Sequence, residues 1–112
     1  MKSDSVRGHL DLMLLAVISD GHAHGYAALE EIRRRSDGVF DLPEGSVYPA
    51  LHRLERAGLL SSRWSEGNGR RRRVYVITRR GRKQFSHERA EFTAFVAAIS
   101  AVTRGVPWPA TT

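Results

Sequence analysis

The sequence predicts a mainly α-helical domain that carries one small β-hairpin and ends in a long helix. Apolar residues recur at helical spacing in three segments upstream of residue 58. The turn-forming sequence Gly67-Asn68-Gly69 separates two short strand-like segments. Beyond them, apolar residues continue at near-heptad spacing, which is typical of a helix packed against another helix. The chain has 112 residues, which fits one compact domain.

The first predicted helix spans residues 6–19 and is apolar on more than one side. One face carries Leu10, Met13, Leu14 and Val17, and the flanks add Leu12, Leu15 and Ile18. A helix with such a wide apolar surface must be covered from more than one direction. A monomer of this size offers little to cover it, so we expect a second subunit to contact this helix.

The second predicted helix spans residues 25–35 and precedes a short link. Its apolar stripe is formed by Tyr26, Leu29 and Ile32. The sequence Ser36-Asp37-Gly38 ends it, because these residues favour turns over helix. Residues 39–42 are expected to be extended, since the following Pro43 disfavours helical geometry at the residue before it.

The third predicted helix begins near Pro43 or Ser46 and ends at Ala57. Val47, Leu51 and Leu54 face inward by their spacing, and Gly58 stands where a left-handed stop is favourable. The expected exposed set is Ser46, Pro49, Ala50, His52, Arg53 and Arg56, with Tyr48 at the border. Small, hydroxyl and guanidinium groups of this kind suit contacts with DNA, although a merely solvated helix face has the same spacing.

The remaining elements are a hairpin and a long last helix. The strands are expected at residues 60–65 and 72–78, and Thr78 is a favourable N-cap for a helix over residues 79–103. Phe85, Phe92, Phe95 and Ile99 form its apolar seam. Three helices followed by a hairpin predict a winged helix-turn-helix over residues 1–78, followed by a C-terminal dimerisation helix over 79–104 and a flexible tail over 105–112.

Positive charge is concentrated on the hairpin and the start of the last helix. The chain has a formal net charge of +6, and nine basic residues lie between Arg63 and Lys83, opposed only by Glu66. Such a balance favours a polyanionic partner, with nucleic acid ahead of an anionic membrane. A solvated charge run is the commoner fate of such sequences. Next to a candidate recognition helix, however, the run Arg70-Arg71-Arg72-Arg73 favours double-stranded DNA.

Three motifs resemble the PadR family of bacterial transcription regulators. Residues 43–60, PEGSVYPALHRLERAGLL, are similar to the core signature of that family. His24-Gly25-Tyr26 resembles the start of its second helix, and residues 73–78 resemble its second wing strand. The resemblance covers about residues 6–100, and the single C-terminal helix is similar to the short subfamily.

The resemblance implies a regulator, expected to be a repressor, that binds a pseudo-palindromic operator as a homodimer. The residues expected to contact DNA are Tyr26, Ser46, Tyr48, Pro49, His52, Arg53, Arg70, Arg71, Arg72 and Arg73. The residues expected in the dimer interface are Leu10, Leu14, Phe85, Phe92, Phe95 and Ile99. The alternative is a winged helix that serves protein interaction or assembly, because a fold alone does not fix a function.

Members of this family respond to phenolic acids, drugs or other signals, so the resemblance also implies a small-molecule effector. Phe92, Phe95 and Trp108 are candidates for an aromatic effector pocket between subunits. The alternative is that the rings fill a dry dimer core. The last residues, 106–112, match nothing in the family pattern.

Several classes of function are disfavoured by the residues. Without cysteine there is no thiolate nucleophile or thiolate metal site. His22-Ala23-His24 lacks an obvious third ligand, Ser46 lacks an identifiable base, and Glu30-Glu31 and Glu55 are interpreted as solvated helix faces. The apolar run 10–18 is too short to span a bilayer. We therefore expect no enzyme activity, cofactor, metal or membrane association, and a cytoplasmic location.

Overall fold

The computed structural model describes residues 3–67 and 69–106, and the side chains from His9 onward within those ranges, apart from residue 68. Four helices and one antiparallel hairpin follow each other in the predicted order. They are α1 (Ser3–Ser19), α2 (Gly25–Arg35), α3 (Glu44–Arg56), β1 (Leu60–Gly67), β2 (Arg70–Ile77) and α4 (Arg79–Thr103). The prediction of a mainly helical winged helix-turn-helix with a long last helix is confirmed.

The core lies between α1, α2, α3 and the base of the hairpin. Its largest fully buried side chains are Leu14, Leu15, Val47, Leu51 and Leu60. Leu10 and Leu14, expected in a dimer interface, are both buried within the single chain. The structure corrects that assignment, because the other helices of the same chain already cover this face of α1.

The end of α3 and the base of the hairpin form one tight connection. Gly58 has a positive φ of 78°, and the backbone N–H of Leu59 donates to the carbonyl of Leu54 at 3.0 Å. This is the left-handed helix stop that the sequence predicts. Leu60, the first residue of β1, then pairs with Ile77, the last residue of β2. Both residues are buried, so this end of the hairpin belongs to the core.

The two strands, β1 and β2, are called the wing from here on. Their pairing runs from Leu60↔Ile77 to Gly67↔Arg70, which is further toward the turn than the predicted strands reached. The backbone N–H of Tyr75 also donates to the carbonyl of Ala23 at 2.9 Å. This bond joins the wing to the segment between α1 and α2, so the wing is fixed on both sides.

The wing passes into α4 without a linker. The hydroxyl of Thr78 donates to the carbonyl of Gly58 at 2.7 Å and accepts from the backbone N–H of Gly81 at 2.9 Å. Gly81 is packed so closely that a Cβ there would overlap the carbonyl oxygen of Leu59. The predicted N-cap is confirmed, and α4 starts in direct contact with the end of α3.

The rest of α4 extends away from the core. Phe85 packs against the core, whereas further along the seam Phe92, Phe95 and Ile99 are exposed, Phe95 by 61%. The described chain measures 56 × 32 × 22 Å along its principal axes. None of its described helices combines the length and apolar character that are needed to cross a bilayer.

Candidate nucleic-acid interface

The exposed side of α3 carries most of the predicted DNA-contacting residues of this helix. Tyr48, Pro49, His52 and Arg53 are all exposed. Ser46 is half-buried, and its hydroxyl donates to the carbonyl of Pro43 at 2.7 Å. That bond fixes the first turn of α3 and uses the hydroxyl proton within the chain.

Ala50 is buried, although the sequence placed it on the exposed face of this helix. It lies between Val47 and Leu51, which belong to the same core cluster. The apolar side of α3 is therefore wider than the three inward residues of the predicted stripe. The expectation for Ala50 was wrong because a small side chain lets the backbone of α3 approach the core closely.

Tyr48 and Tyr26 stand next to each other at the ends of α2 and α3. A Cβ added to Gly25 would lie 3.0 Å from the Cε1 atom of Tyr48, so a larger residue there would require the ring to shift by a few tenths of an ångström. Tyr26 is 60% exposed and does not belong to the apolar stripe of α2, which is formed by Ala28, Leu29 and Ile32. Both phenols are thus available to a ligand beside α3.

The four consecutive arginines of β2 divide between the two faces of the wing. Successive side chains of a strand point to opposite faces. Arg71 and Arg73 share the face of the buried Tyr75 and Ile77, whereas Arg70 and Arg72 lie on the other face.

The inner face of the wing also carries Trp64. Its indole ring lies under two guanidinium groups, with the Cζ of Arg71 at 4.7 Å and that of Arg73 at 5.0 Å from the ring centroid. Trp64 is not among the residues that the sequence predicts to contact DNA. Its signal was its position in a strand directly opposite the arginine run, in the register Trp64↔Arg73.

A chain of polar contacts ties Arg73 to α3. The Nε of Arg73 donates to the hydroxyl of Ser62 at 2.9 Å, and that hydroxyl donates to the carboxylate of Glu55 at 2.7 Å. Burial raises the pKa of the neighbouring Tyr75 phenol, and the charge of Glu55 raises it further. Glu55 is therefore a link between α3 and the wing, and the interpretation as a solvated helix face was wrong.

Together these elements enclose one groove of about 570 Å³, called here the basic-aromatic groove. Its lining residues are His24, Gly25, Tyr26, Tyr48, Trp64, Arg70, Arg71, Arg72 and Arg73. Phenol hydroxyls and guanidinium groups donate hydrogen bonds to phosphate oxygens in protein–DNA complexes. The structure thus brings six of the predicted DNA-contacting residues into one groove beside the exposed side of α3.

Arg53 stands apart from this groove and has a partner on α1. One of its terminal nitrogens donates to the carboxylate of Asp11 at 2.6 Å. Both side chains retain access to solvent, because Arg53 is 53% and Asp11 35% exposed. Ser46, Pro49, His52 and Arg53 do not line the basic-aromatic groove and form a neighbouring surface of α3.

Glu31 is buried, contrary to the expectation of a solvated face. Its carboxylate accepts hydrogen bonds from Arg34 at 2.6 Å and from Arg35 at 2.6 Å. These bonds lower the pKa of Glu31 from 4.5 to about 2. Arg35 also donates to Asp20 at 2.8 Å, so the cluster joins the segment after α1 to α2.

No cluster of three or more His, Cys, Asp or Glu side chains in residues 3–67 and 69–106 is arranged to hold a metal ion. His22 lies 3.8 Å from the carboxylate of Glu31 and takes part in the cluster described above. His24 lines the basic-aromatic groove.

A second groove of about 500 Å³ lies between α1 and α4 and is called here the α1–α4 groove. Its lining residues are His9, Asp11, Leu12, Glu88, Glu91, Phe92 and Phe95. The rings of His9 and Phe92 meet edge to face, with their centroids 5.3 Å apart. Phe92 and Phe95 therefore line a groove within one chain, whereas the effector pocket predicted between subunits stays a prediction and Trp108 lies outside the described residues.

Comparison with known proteins gives one family. The sequence model of the Transcriptional regulator PadR-like family matches residues 14–87. Transcriptional regulator Rv3488 of Mycobacterium tuberculosis is 36% identical over 83 residues, which cover 74% of this chain and 75% of that protein. An uncharacterised protein of Lysinibacillus sphaericus is 31% identical over 87 residues, covering 77% of this chain and 80% of the relative.

Solved structures agree with this match. A transcriptional regulator from Clostridium thermocellum superposes with a TM-score of 0.80 at 30% identity, covering 90% of this chain and 96% of that one. The fold is also that of a PadR-like transcriptional regulator from Bacillus cereus, with a TM-score of 0.80 at 23% identity over 92% of this chain and 99% of that one. The relatives with a named function are transcriptional regulators and not enzymes. The protein therefore belongs to the PadR-like family of transcriptional regulators.

Proposed function

We propose that this regulator binds double-stranded operator DNA and acts as a repressor. The observation that carries the proposal is the basic-aromatic groove, which joins four arginines of the wing to two phenols at the ends of α2 and α3. Affinity for DNA comes mainly from neutralised phosphates, and sequence preference from side chains that reach base edges. In this proposal the basic-aromatic groove binds the phosphodiester backbone. The exposed side of α3, with His52 and Arg53, enters the major groove of the DNA.

The proposed DNA-binding unit is residues 1–78, and residues 79–104 form the dimerisation helix. Phe92, Phe95 and Ile99 support this division, because they expose an apolar stripe on the part of α4 that extends beyond the core. Contiguous exposed apolar patches mark interaction surfaces. A second copy covers this stripe in the proposed homodimer, and Phe85 stabilises the root of α4 against its own core. Of the predicted tail over residues 105–112, residues 107–112 lie outside the described residues, and the tail has no assigned role.

Two equivalent subunits imply an operator with two related halves. Their recognition helices meet successive faces of the major groove, so the centres of the half-sites lie about one helical turn, ~34 Å, apart or a multiple of it. Footprinting that protects a single asymmetric half-site would contradict the dimeric proposal.

The decisive experiment is selection of genomic fragments with the purified protein. Bound fragments are sequenced, and the enriched site is compared with a scrambled site of equal length in a gel-shift titration at moderate salt. Preferential binding of the enriched site supports the proposal. If no fragment is enriched, or if the enriched and scrambled sites bind equally weakly, the alternative holds, namely a winged helix that serves protein interaction or assembly.

A second candidate function is release from DNA by an aromatic small molecule. Phe92 and Phe95 favour it, because they line the α1–α4 groove next to the proposed dimer contact. A ligand there acts only if it binds one spacing of the two subunits more tightly than another. Planar aromatic compounds are titrated against the DNA complex while tryptophan fluorescence is followed. If none changes either signal and Phe92→Ala leaves regulation unchanged, the rings are only a dimer core.

A further inference from the structure

Trp64 contacts two of the wing arginines and carries no charge that would neutralise them. The guanidinium groups of Arg71 and Arg73 lie over its indole ring at 4.7 and 5.0 Å from the centroid. Both distances are within the range of a cation–π contact. Arg71 faces Glu66 across the strands, yet its guanidinium lies over the ring.

The choice of a ring as partner has a chemical consequence. A carboxylate partner would cancel the positive charge and occupy the N–H groups that a phosphate needs. An indole ring has no negative charge to neutralise a guanidinium and no strong acceptor to occupy its N–H donors. Contact with the ring therefore orients the side chain and leaves the charge and the donors of Arg71 available to an anion. Arg73 keeps only part of its donors, because its Nε donates to Ser62 and a terminal nitrogen lies 3.9 Å from the carboxylate of Glu55.

The surroundings of Trp64 fix its arginines further. Arg73 donates to Ser62, and Ser62 donates to Glu55 on α3. The ring itself is 53% exposed and lines the basic-aromatic groove opposite Tyr26 and Tyr48. The stacked guanidinium groups are thus held at the groove and at a set distance from α3.

We infer that Trp64 is a positioning residue of the DNA-binding surface, which presents Arg71 and Arg73 to the phosphodiester backbone in the basic-aromatic groove. The inference rests on the proposed function and assigns part of the phosphate contact to a residue that does not bind phosphate itself. Holding the two long side chains in place before DNA arrives lowers the conformational entropy that binding must remove. The outer-face arginines, Arg70 and Arg72, have no part in this arrangement.

The test uses three substitutions of Trp64 in the full-length chain and measures DNA affinity as a function of salt concentration. Trp64→Phe keeps an aromatic face, Trp64→Leu keeps an apolar side chain without one, and Trp64→Ala removes both. Val76→Ala is the matched control, because Val76 is an exposed apolar residue on the opposite face of the same hairpin. Thermal unfolding of each variant shows that the fold is intact.

We expect Trp64→Leu and Trp64→Ala to bind DNA about tenfold more weakly, which is the order of the entropy cost of immobilising two long side chains on binding. The slope of log affinity against log salt should fall by about one unit for each guanidinium that leaves its phosphate. Trp64→Phe should keep the slope of the wild type, and so should Val76→Ala. A merely structural loss would lower the active fraction at every salt concentration and leave the slope unchanged.

If Trp64→Ala or Trp64→Leu keeps the affinity and the salt slope of the wild type, the inference is overturned. DNA binding by the wild type would still support the proposed function in that case. Absence of DNA binding by the wild type would overturn both. If these two variants fail to fold, fluorescence decides. The sequence has two tryptophans, so in a Trp108→Phe background Trp64 is the sole reporter. Its emission should change on saturation with DNA, and an emission that stays constant refutes the placement of the ring at the bound backbone.

Discussion

The carboxylate of Asp11 on α1 and the guanidinium of Arg53 on α3 form an ion pair at 2.6 Å, across 42 positions of sequence. Both side chains are accessible to solvent. An exposed pair of this kind contributes only about 0.2–1 kcal/mol. The ion pair therefore orients Arg53 in the free protein. If Arg53 turns toward a base, breaking the ion pair costs only this small free energy.

Arg53→Ala should relax sequence preference. If the guanidinium reads a base edge, affinity for the operator falls by roughly 1–3 kcal/mol, whereas affinity for random DNA changes far less. Asp11→Asn is the control, since it releases Arg53 without removing it and should tighten operator binding by at most about fivefold. Gel-shift titrations on both DNAs measure this, and equal losses on both for Arg53→Ala would argue against base contact.

Arg72→Ala should weaken binding to all sequences alike. Arg72 lies on the outer face of the wing and lines the basic-aromatic groove, so its contact is expected with phosphate. Loss of one phosphate contact lowers the salt slope by about one unit. Arg89→Ala removes the same charge from the exposed side of α4 and should leave the slope unaltered. A selective loss on the operator alone would assign Arg72 to base recognition instead.

Phe95→Glu should separate the subunits of the proposed dimer and leave the protomer folded. Phe95 is largely exposed in the single chain, so a charge there is tolerated by the protomer but is costly when a partner buries it. Sedimentation at micromolar concentration should report one chain instead of two, with unchanged helical circular dichroism. Ala97→Glu adds the same charge on the opposite side of α4 by helical spacing and should remain dimeric. A wild type that sediments as a stable monomer would remove the basis of this prediction.

Glu31→Gln should lower thermal stability at neutral pH, and the difference should vanish in acid. Hydrogen bonds from Arg34, then Arg35, hold the pKa of Glu31 at about 2, below its ordinary value of 4.5. A lowered pKa contributes stability above pH 4.5, and that contribution is lost as pH falls toward 2. Melting temperatures of both proteins from pH 7 to pH 2 should converge below pH 4.5. A constant difference would mean that the carboxylate charge is not what the cluster requires.

The order and type of the elements could be predicted because their signals are local. Helical spacing, the stop at Gly58 and the cap at Thr78 each depend on residues within one or two turns. The sequence left the start of α3 open between Pro43 and Ser46, and the structure begins it at Glu44. Proline suits a helix entry but does not mark the first helical residue uniquely.

The errors came from contacts between distant segments. Leu10 and Leu14 were assigned to a dimer interface because the sequence does not show that other elements of the same chain bury them. Glu31 looked solvated because helical spacing does not show that the segment after α1 folds over it, where His22 lies 3.8 Å from its carboxylate and Asp20 binds Arg35. Spacing along one helix gives the direction of a side chain but does not reveal what the neighbouring element brings to it.

The structure brings the tyrosines and the arginine run of the predicted interface into one groove, and it adds residues that the sequence did not indicate. The sequence identified the tyrosines and the arginine run, because charge and residue type are visible in one dimension. It did not identify Trp64 or the pair of Asp11 with Arg53, since the first needs the register of the hairpin and the second needs the packing of α1 on α3.

A side chain at Gly81 would overlap the carbonyl of Leu59, so the start of α4 packs tightly against the residue that leads from α3 into the wing. Thr78 is hydrogen-bonded to both Gly58 and Gly81. We therefore expect the winged helix-turn-helix and α4 to move together as one rigid body. A helix of 25 residues is ~37 Å long, so tilting it by about 5° at its far end swings the other end by about 3 Å. In the proposed dimer, a small change in the crossing angle of the two α4 helices changes the distance between the two α3 helices. That distance then either matches or no longer matches one helical turn of DNA.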